Sequence, residues 1–215
     1  MHITTILNGS VLLLLASTGL LVINRQLRLG IALLTCQSLL LAGIAILVAL
    51  GSGIEHLYLA VVLTILVKAV LASVALGVVL RCARTKVERE ILGRGLSLSI
   101  CVGLVLVSYS SVHQVQLPQV ISAPNSLWVA ISMVLIGLFM MVSRRKALMQ
   151  IIGLVTIENG VFLLALSTTY GMPIFVEVGI FLDVGCSIIM LSFFAFKINQ
   201  LFETLDITEL RHLKG

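Results

Sequence analysis

The chain has 215 residues, of which 60% are hydrophobic and 11% are charged, whereas about half and about a quarter are usual for a soluble domain. The hydrophobic residues come in uncharged runs of about twenty, the length that a helix needs to cross a ~30 Å hydrocarbon layer. This composition excludes a soluble globular fold and predicts an integral membrane protein. The formal net charge of +5 would suggest nucleic-acid binding in a soluble protein. Here the basic residues lie in short loops between apolar runs, so we expect membrane lipids and no nucleic acid as partners.

The apolar runs predict an all-α membrane protein with seven transmembrane helices, because helices alone satisfy their backbone groups in lipid at this length. In chain order, the predicted spans are 3–23, 29–50, 56–80, 95–114, 126–142, 147–167 and 176–197. Thirteen of the fourteen Lys and Arg residues then fall on one side of the membrane, and the loops on the other side hold none. The positive-inside rule therefore predicts that the N-terminus lies outside and the C-terminus in the cytoplasm.

The order of the spans predicts two parallel three-helix units joined by the fourth span as a linking helix. Residues 33–38 in span two resemble residues 154–159 in span six, and each segment follows a short basic loop. Two units of the same orientation require an odd number of helices between them, which the fourth span provides. The predicted division is 1–80 for the first unit, 81–125 for a charged cytoplasmic loop, linking helix and outer loop, 126–198 for the second unit, and 199–215 for a cytoplasmic tail.

The sequence predicts no cofactor site and no catalytic centre in this chain. Its four cysteines stand alone, without a C-x-x-C pair or a partner at metal-ligand spacing, so we expect no iron-sulfur or zinc site. The chain also has no P-loop, no G-x-S-x-G and no H-E-x-x-H, and so lacks the usual signatures of nucleotide-binding and hydrolytic enzymes.

Four polar residues lie deep in the predicted spans: Gln37, Lys68, Glu158 and Asp183. Each is nine to fourteen residues from the nearest predicted cytoplasmic charge, which corresponds to roughly 14–21 Å at about 1.5 Å per residue. A charge at the centre of a bilayer costs at least ~2.5–3.5 kcal/mol, so an accidental alignment of these residues is not expected. Their common depth predicts a polar belt across the membrane midplane.

Two interpretations of this belt are open at the level of sequence. Glu158, Asp183 and Lys68 could form a proton relay, because ionisable groups inside a membrane commonly carry protons. Alternatively, Lys68 could pair statically with one of the two acids and hold the two units together.

Gln37 and three further polar residues could support the belt. Gln37 lies at its depth in the first unit, while Thr156 and Asn159 lie within one turn of Glu158 and could hydrogen-bond it, a water chain or a neighbouring helix. Glu177 lies near the outer end of the seventh span, where it could open a proton path or simply lie in the interface. We therefore treat Gln37, Thr156, Asn159 and Glu177 as candidate supporting, entry or exit residues.

These deep residues and their neighbours resemble component E of hydrogenase-4, a membrane subunit of bacterial complexes of the formate-hydrogenlyase type, over essentially the full length of the chain. The resemblance depends on the order of several short segments in the predicted topology. They are Cys36-Gln37-Ser38-Leu39, Lys68, Leu117-Pro118, Gln150-Ile151-Ile152-Gly153, Glu158-Asn159-Gly160, Val176-Glu177-Val178-Gly179-Ile180 with Asp183, and Leu205-Asp206 to Leu213-Lys214-Gly215.

The second half of that family is similar to the K-type subunit of respiratory complex I and to the C-type subunit of multisubunit cation/proton antiporters. Those subunits carry one acid on the second of three helices and another on the third, and Glu158 and Asp183 fall on these positions. The resemblance implies that both are protonatable links of a polar axis. This chain departs from the pattern in having Asp at the second position, and Gln37 and Lys68 where a duplicate pathway in the first unit would need acids. Lys68 could instead set the protonation of Asp183 or Glu158.

The resemblance implies a multi-pass subunit of the bacterial or archaeal cytoplasmic membrane, in a complex-I-like, group-4 nickel-iron hydrogenase complex. Its role would be proton translocation and coupling. Expected partners are antiporter-like membrane subunits, a membrane anchor subunit, and cytoplasmic hydrogenase and iron-sulfur subunits, which would hold the nickel-iron centre and the iron-sulfur clusters. Two alternatives are a subunit of a cation/proton antiporter without a redox module, and an assembly anchor whose polar belt is static.

Overall fold

A computed structural model of the chain describes residues 2–52, 62, 92–114, 125–144 and 147–168. In these ranges the chain is helical apart from short connections. The helices are α1 (His2–Ile23), α2 (Leu27–Ser52), α3 (Arg94–Gln114), α4 (Ser126–Ser143) and α5 (Ala147–Thr168).

By length and composition, all five helices are able to cross a membrane, which confirms the prediction of an all-α, multi-pass membrane protein. Their bounds agree with the first, second, fourth, fifth and sixth predicted spans to within a few residues. The third and seventh predicted spans lie outside the described residues, apart from the helical residue Val62. The total of seven helices therefore stays a prediction.

A three-residue turn connects α1 to α2 and is held by one asparagine side chain. The Asn24 side-chain carbonyl accepts a hydrogen bond from the Gln26 backbone N–H at 2.9 Å, and the Asn24 side-chain amide donates to the Gln26 carbonyl at 2.8 Å. Asparagine favours such turns because its short side chain reproduces backbone hydrogen bonds. The short connection makes α1 and α2 antiparallel neighbours.

Two clusters of buried apolar side chains fill the bundle, one toward each end. We call the first cluster the outer cluster after the predicted orientation of the chain; it contains the early residues of α1 and α4 and the late residues of α2 and α5. We call the second the basic-end cluster; it contains the late residues of α1 and α4 and the early residues of α2 and α5. Hence α1 and α4 run in one direction, while α2 and α5 run in the other.

The basic-end cluster takes its name from the four Lys or Arg residues of the described chain, Arg25, Arg28, Arg94 and Arg144, which all lie at that end of the helices. Helix α3 packs against both α1 and α4, and it is the least buried of the five helices. The side of the membrane that the basic end faces, the division into two units and the four predicted domain ranges stay predictions, because the third predicted span of each unit lies outside the described residues apart from Val62.

Helices α4 and α5 make the closest contact of the bundle, and glycines make it possible. A Cβ atom on Gly137 would lie 2.8 Å from the Gly153 carbonyl oxygen, and one on Gly160 would lie 2.9 Å from the Ala130 carbonyl oxygen. Such distances to backbone atoms leave no room for a side chain. Small residues therefore bring these two backbones together, as is typical of helices packed within a membrane.

Candidate functional site

A layer of buried polar side chains separates the outer cluster from the basic-end cluster. The residues of this polar layer come from four helices and are all at most 7% exposed. They are Ser17 and Thr18 in α1, Gln37 and Ser38 in α2, Ser132 in α4, and Thr156, Glu158 and Asn159 in α5.

Contacts near the basic end show that the α2 and α5 parts of the layer lie at similar depth. A Cβ atom on Gly30 of α2 would lie 3.0 Å from the Ile152 Cδ1 atom of α5, so these two residues are level with each other. The helices are parallel, and Gln37 and Asn159 each lie seven residues further along, roughly 10 Å at about 1.5 Å per residue. The prediction that Gln37 and Glu158 share a depth agrees with this register.

The glycine contacts between α4 and α5 place Ser132 at the same level. In this antiparallel pair, Gly137 lies opposite Gly153, and Ala130 lies opposite Gly160. The same register puts Ser132 opposite Glu158. The Ser132 hydroxyl donates a hydrogen bond to the Trp128 carbonyl of its own helix at 2.7 Å, so its donor is already used within α4.

Helices α1 and α2 are joined within the layer by a hydrogen bond between side chains. The Gln37 Nε2 amide donates to the Thr18 hydroxyl oxygen at 2.9 Å, and the Thr18 hydroxyl in turn donates to the Leu14 carbonyl at 2.8 Å. The Ser17 hydroxyl donates to that same carbonyl at 2.7 Å. Gln37 could be predicted from the sequence but Thr18 could not, since a threonine inside an apolar span is too common to indicate a site.

Glu158 is the acid of the described layer, and it is 3% exposed in the middle of α5. Asn159, directly after it, is fully buried, as is Thr156, two residues before it. The Thr156 hydroxyl donates to the Ile152 carbonyl one turn earlier, at 2.8 Å. The Thr156 hydroxyl proton is therefore used within α5, while the hydroxyl oxygen can still accept a hydrogen bond.

The other predicted relay residues, Lys68 and Asp183, and the predicted entry or exit residue Glu177 lie outside the described residues. The full polar belt, the relay and the alternative static pair therefore stay predictions. Within the described ranges, no group of three His, Cys, Asp or Glu side chains could hold a metal ion.

Arg144, which the sequence predicts only as one of the basic residues that set the orientation, also joins helices. Its side chain is 3% exposed, and its guanidinium donates a hydrogen bond to the Val22 carbonyl in the last turn of α1. Its own carbonyl accepts a hydrogen bond from the Gln150 side-chain amide at 2.9 Å. Arg144 thus joins the basic ends of α1, α4 and α5, and it places a positive charge where the α1 dipole is negative.

Comparison with known proteins gives relatives that match nearly the whole chain. The hydrogenase-4 component E proteins of Escherichia coli and Shigella flexneri are 29% identical over 204 residues, which is 94% of this chain and 94% of theirs. An uncharacterized protein of Mycobacterium tuberculosis is 28% identical over 204 residues, covering 94% of this chain and 92% of its own length. No family model and no solved structure matches the chain. The resemblance indicated by the sequence segments is thereby confirmed, and the chain is similar to hydrogenase-4 component E over 94% of its length.

Proposed function

We propose that this chain is a membrane subunit of a complex-I-like, group-4 nickel-iron hydrogenase complex of the hydrogenase-4 or formate-hydrogenlyase type. Within that complex it contributes to proton translocation and coupling through the belt formed by Glu158, Asp183 and Lys68. The chain itself has no catalytic centre in this proposal. The nickel-iron centre and the iron-sulfur clusters belong to cytoplasmic partner subunits.

The observation that carries the proposal is Glu158, a buried acid in the polar layer of a chain similar to hydrogenase-4 component E over 94% of its length. The match covers 94% of this chain and 94% of the relative, so the likeness is not confined to one segment. A carboxyl group between two apolar clusters is costly. Such groups inside membranes commonly mark proton or ion pathways.

The packing around Glu158 suits a group whose protonation changes without moving its helix. Close contacts at Gly153 and Gly160 hold α5 against α4 on both sides of Glu158. Gln37, Thr18 and Ser132 lie at its depth on three other helices and provide polar groups that stay neutral. In the proposal, charge movement in the partner subunits changes the relative free energies of the protonated and ionised forms, and the proton then passes between Glu158 and Asp183.

The test replaces each acid by its neutral counterpart in the full complex. We expect Glu158→Gln and Asp183→Asn each to abolish redox-driven proton transport in inverted membrane vesicles while leaving the complex assembled. Glu203→Gln, the same substitution in the predicted cytoplasmic tail, is the matched control and should transport normally. Assembly is measured by native gel electrophoresis of the detergent-extracted complex.

Two outcomes would contradict the proposal. Unchanged transport in both variants would show that the belt is static, as expected for an assembly anchor. A complex that contains no nickel or iron-sulfur clusters after purification in mild detergent, but that catalyses sodium-dependent flux in the membrane vesicles, would instead identify a cation/proton antiporter.

A further inference from the structure

We propose that Gln37 and Ser38 together bind a buried water molecule on the α1–α2 side of the polar layer. The site is formed by two neighbouring residues of α2, both fully buried. It rests on their hydrogen bonding alone and does not depend on the proposed function.

One polar atom of the Gln37 side-chain amide has a hydrogen-bond partner among the described residues and the other has none. Its Nε2 amide donates to the Thr18 hydroxyl, which fixes the orientation of the side chain. The Oε1 oxygen then points away from that bond, and it has no hydrogen-bond partner among the described residues. A buried amide oxygen without a donor is destabilising, so a donor is expected at this position.

Ser38 supplies the second observation. Serine and threonine hydroxyls of the bundle regularly donate to the carbonyl one turn earlier, and Thr18, Ser132 and Thr156 do so within the same layer. The Ser38 hydroxyl makes no such bond, and its oxygen has no partner among the described residues although it is fully buried. A side chain that forgoes the bond available within its own helix indicates a different partner nearby.

The chemistry of the two groups selects water. The Gln37 carbonyl oxygen can only accept, whereas the Ser38 hydroxyl can donate and accept. A water molecule can donate one hydrogen to Gln37 Oε1 and use its remaining hydrogen or its oxygen at Ser38 Oγ, and buried waters commonly satisfy such groups. A bound cation is less suited because both groups at the site, an amide oxygen and a hydroxyl, are neutral.

The bound water would extend the polar layer in the helix pair that lacks an acid. It lies at the depth of Glu158 but on the other pair of helices. A site of this kind provides exchangeable protons deep in the bundle at a place where the side chains themselves do not ionise.

The test measures transfer of magnetisation from water to the Gln37 side-chain amide by solid-state NMR, with the full chain labelled with ¹⁵N-glutamine in lipid bilayers. Gln37→Met assigns the signal. We expect transfer to Gln37, a severalfold loss of that transfer in Ser38→Ala, and no change at Gln150 near the basic end. Ser10→Ala, which removes an α1 hydroxyl bonded to the Ile6 carbonyl at 2.9 Å, is the matched control and should leave the transfer intact.

Three results would overturn the proposal. Absence of transfer to Gln37 in the unmodified chain would mean a dry site, with the Ser38 hydroxyl bonded to its own helix in the bilayer. Transfer that persists in Ser38→Ala would mean that Ser38 does not hold the water. A Gln37 signal that shifts when sodium replaces choline, without water transfer, would place a cation there. Ser38→Thr, which keeps the hydroxyl, should retain the transfer and checks that the Ser38→Ala effect is not one of misfolding.

Discussion

The α4–α5 pair and the α1–α2 pair are both antiparallel helix pairs, yet they are held together by different interactions. In α4–α5, Gly137, Gly153 and Gly160 allow the backbones to approach until a Cβ atom would overlap a carbonyl oxygen. In α1–α2, a Cβ atom on Gly19 or Gly43 would meet no heavy atom of the described residues within 4 Å. That pair is joined by the hydrogen bond from Gln37 to Thr18.

The difference shows how one bundle uses the two interactions available between helices in lipid, where apolar contact alone gives little preference for protein over lipid tails. Close packing gives α4–α5 a continuous interface of van der Waals contacts around Glu158. Polar bonding leaves α1–α2 with buried oxygen atoms that can accept a ligand. The acid thus lies on the closely packed pair, and the hydrogen bond between side chains joins the other pair.

The largest effect is expected from Gly137→Ala, which tests the close packing of α4 on α5. The new Cβ atom would lie 2.6 Å from Ile157 Cγ1 and 2.8 Å from the Gly153 carbonyl oxygen. The backbone contact cannot be relieved by a rotamer change, so the helices must separate. We expect a loss of about 1–3 kcal/mol in the free energy of unfolding, measured by SDS-driven unfolding in mixed micelles.

Gly43→Ala is the matched control, because the added methyl group meets no described neighbour and alanine favours a helix over glycine by about 0.5–1 kcal/mol. It should leave stability unchanged or slightly higher. Equal losses in Gly137→Ala and Gly43→Ala would contradict the contrast between the two pairs.

An intermediate effect is expected from Arg144→Met, which removes a hydrogen bond between the two pairs at the basic end. The substitution keeps much of the buried volume but leaves the Val22 carbonyl without the guanidinium donor. A cation at a helix C-terminus and a charged hydrogen bond together suggest a loss of about 1–2 kcal/mol in the same unfolding assay.

Arg28→Met removes an exposed arginine at the same end and serves as the control. It should change stability by less than about 0.5 kcal/mol, as surface substitutions usually do. If both arginines behave alike, then Arg144 contributes through net charge rather than through its bond to α1.

Much of this fold could be predicted from the sequence, because the length and hydropathy of an apolar run are enough to recognise a membrane helix. The bounds of α1 to α5 lie within a few residues of the predicted spans, and the shared depth of Gln37 and Glu158 follows from counting residues along parallel helices. The same counting could not identify Thr18 as the partner of Gln37, since the rotation of α1 about its axis is set by packing and not by span length.

Arg144 was predictable as a basic-end residue but not as a buried one. Loop arginines at the ends of spans are usually solvated, and nothing in its immediate neighbours distinguishes Arg144 from Arg145 or Lys146. Its burial depends on the end of α1 lying beside the end of α4, which is a tertiary contact between residues more than a hundred positions apart. The predicted roles of Lys68, Asp183 and Glu177 depend on contacts of the same long-range kind.

The smallest effect is expected for the hydrogen bond between Gln37 and Thr18, which joins α1 to α2. A double-mutant cycle with Thr18→Val and Gln37→Met isolates the coupling between the two side chains. Hydrogen bonds between membrane helices average about 0.6 kcal/mol and reach about 1.7 kcal/mol in such cycles, so we expect a favourable coupling in that range. Ser10→Ala combined with Gln37→Met should be additive, because the Ser10 hydroxyl bonds within its own helix. A zero coupling for Thr18 and Gln37 would mean that apolar contact alone holds α1 on α2, and the contrast with α4–α5 would then be one of packing density only.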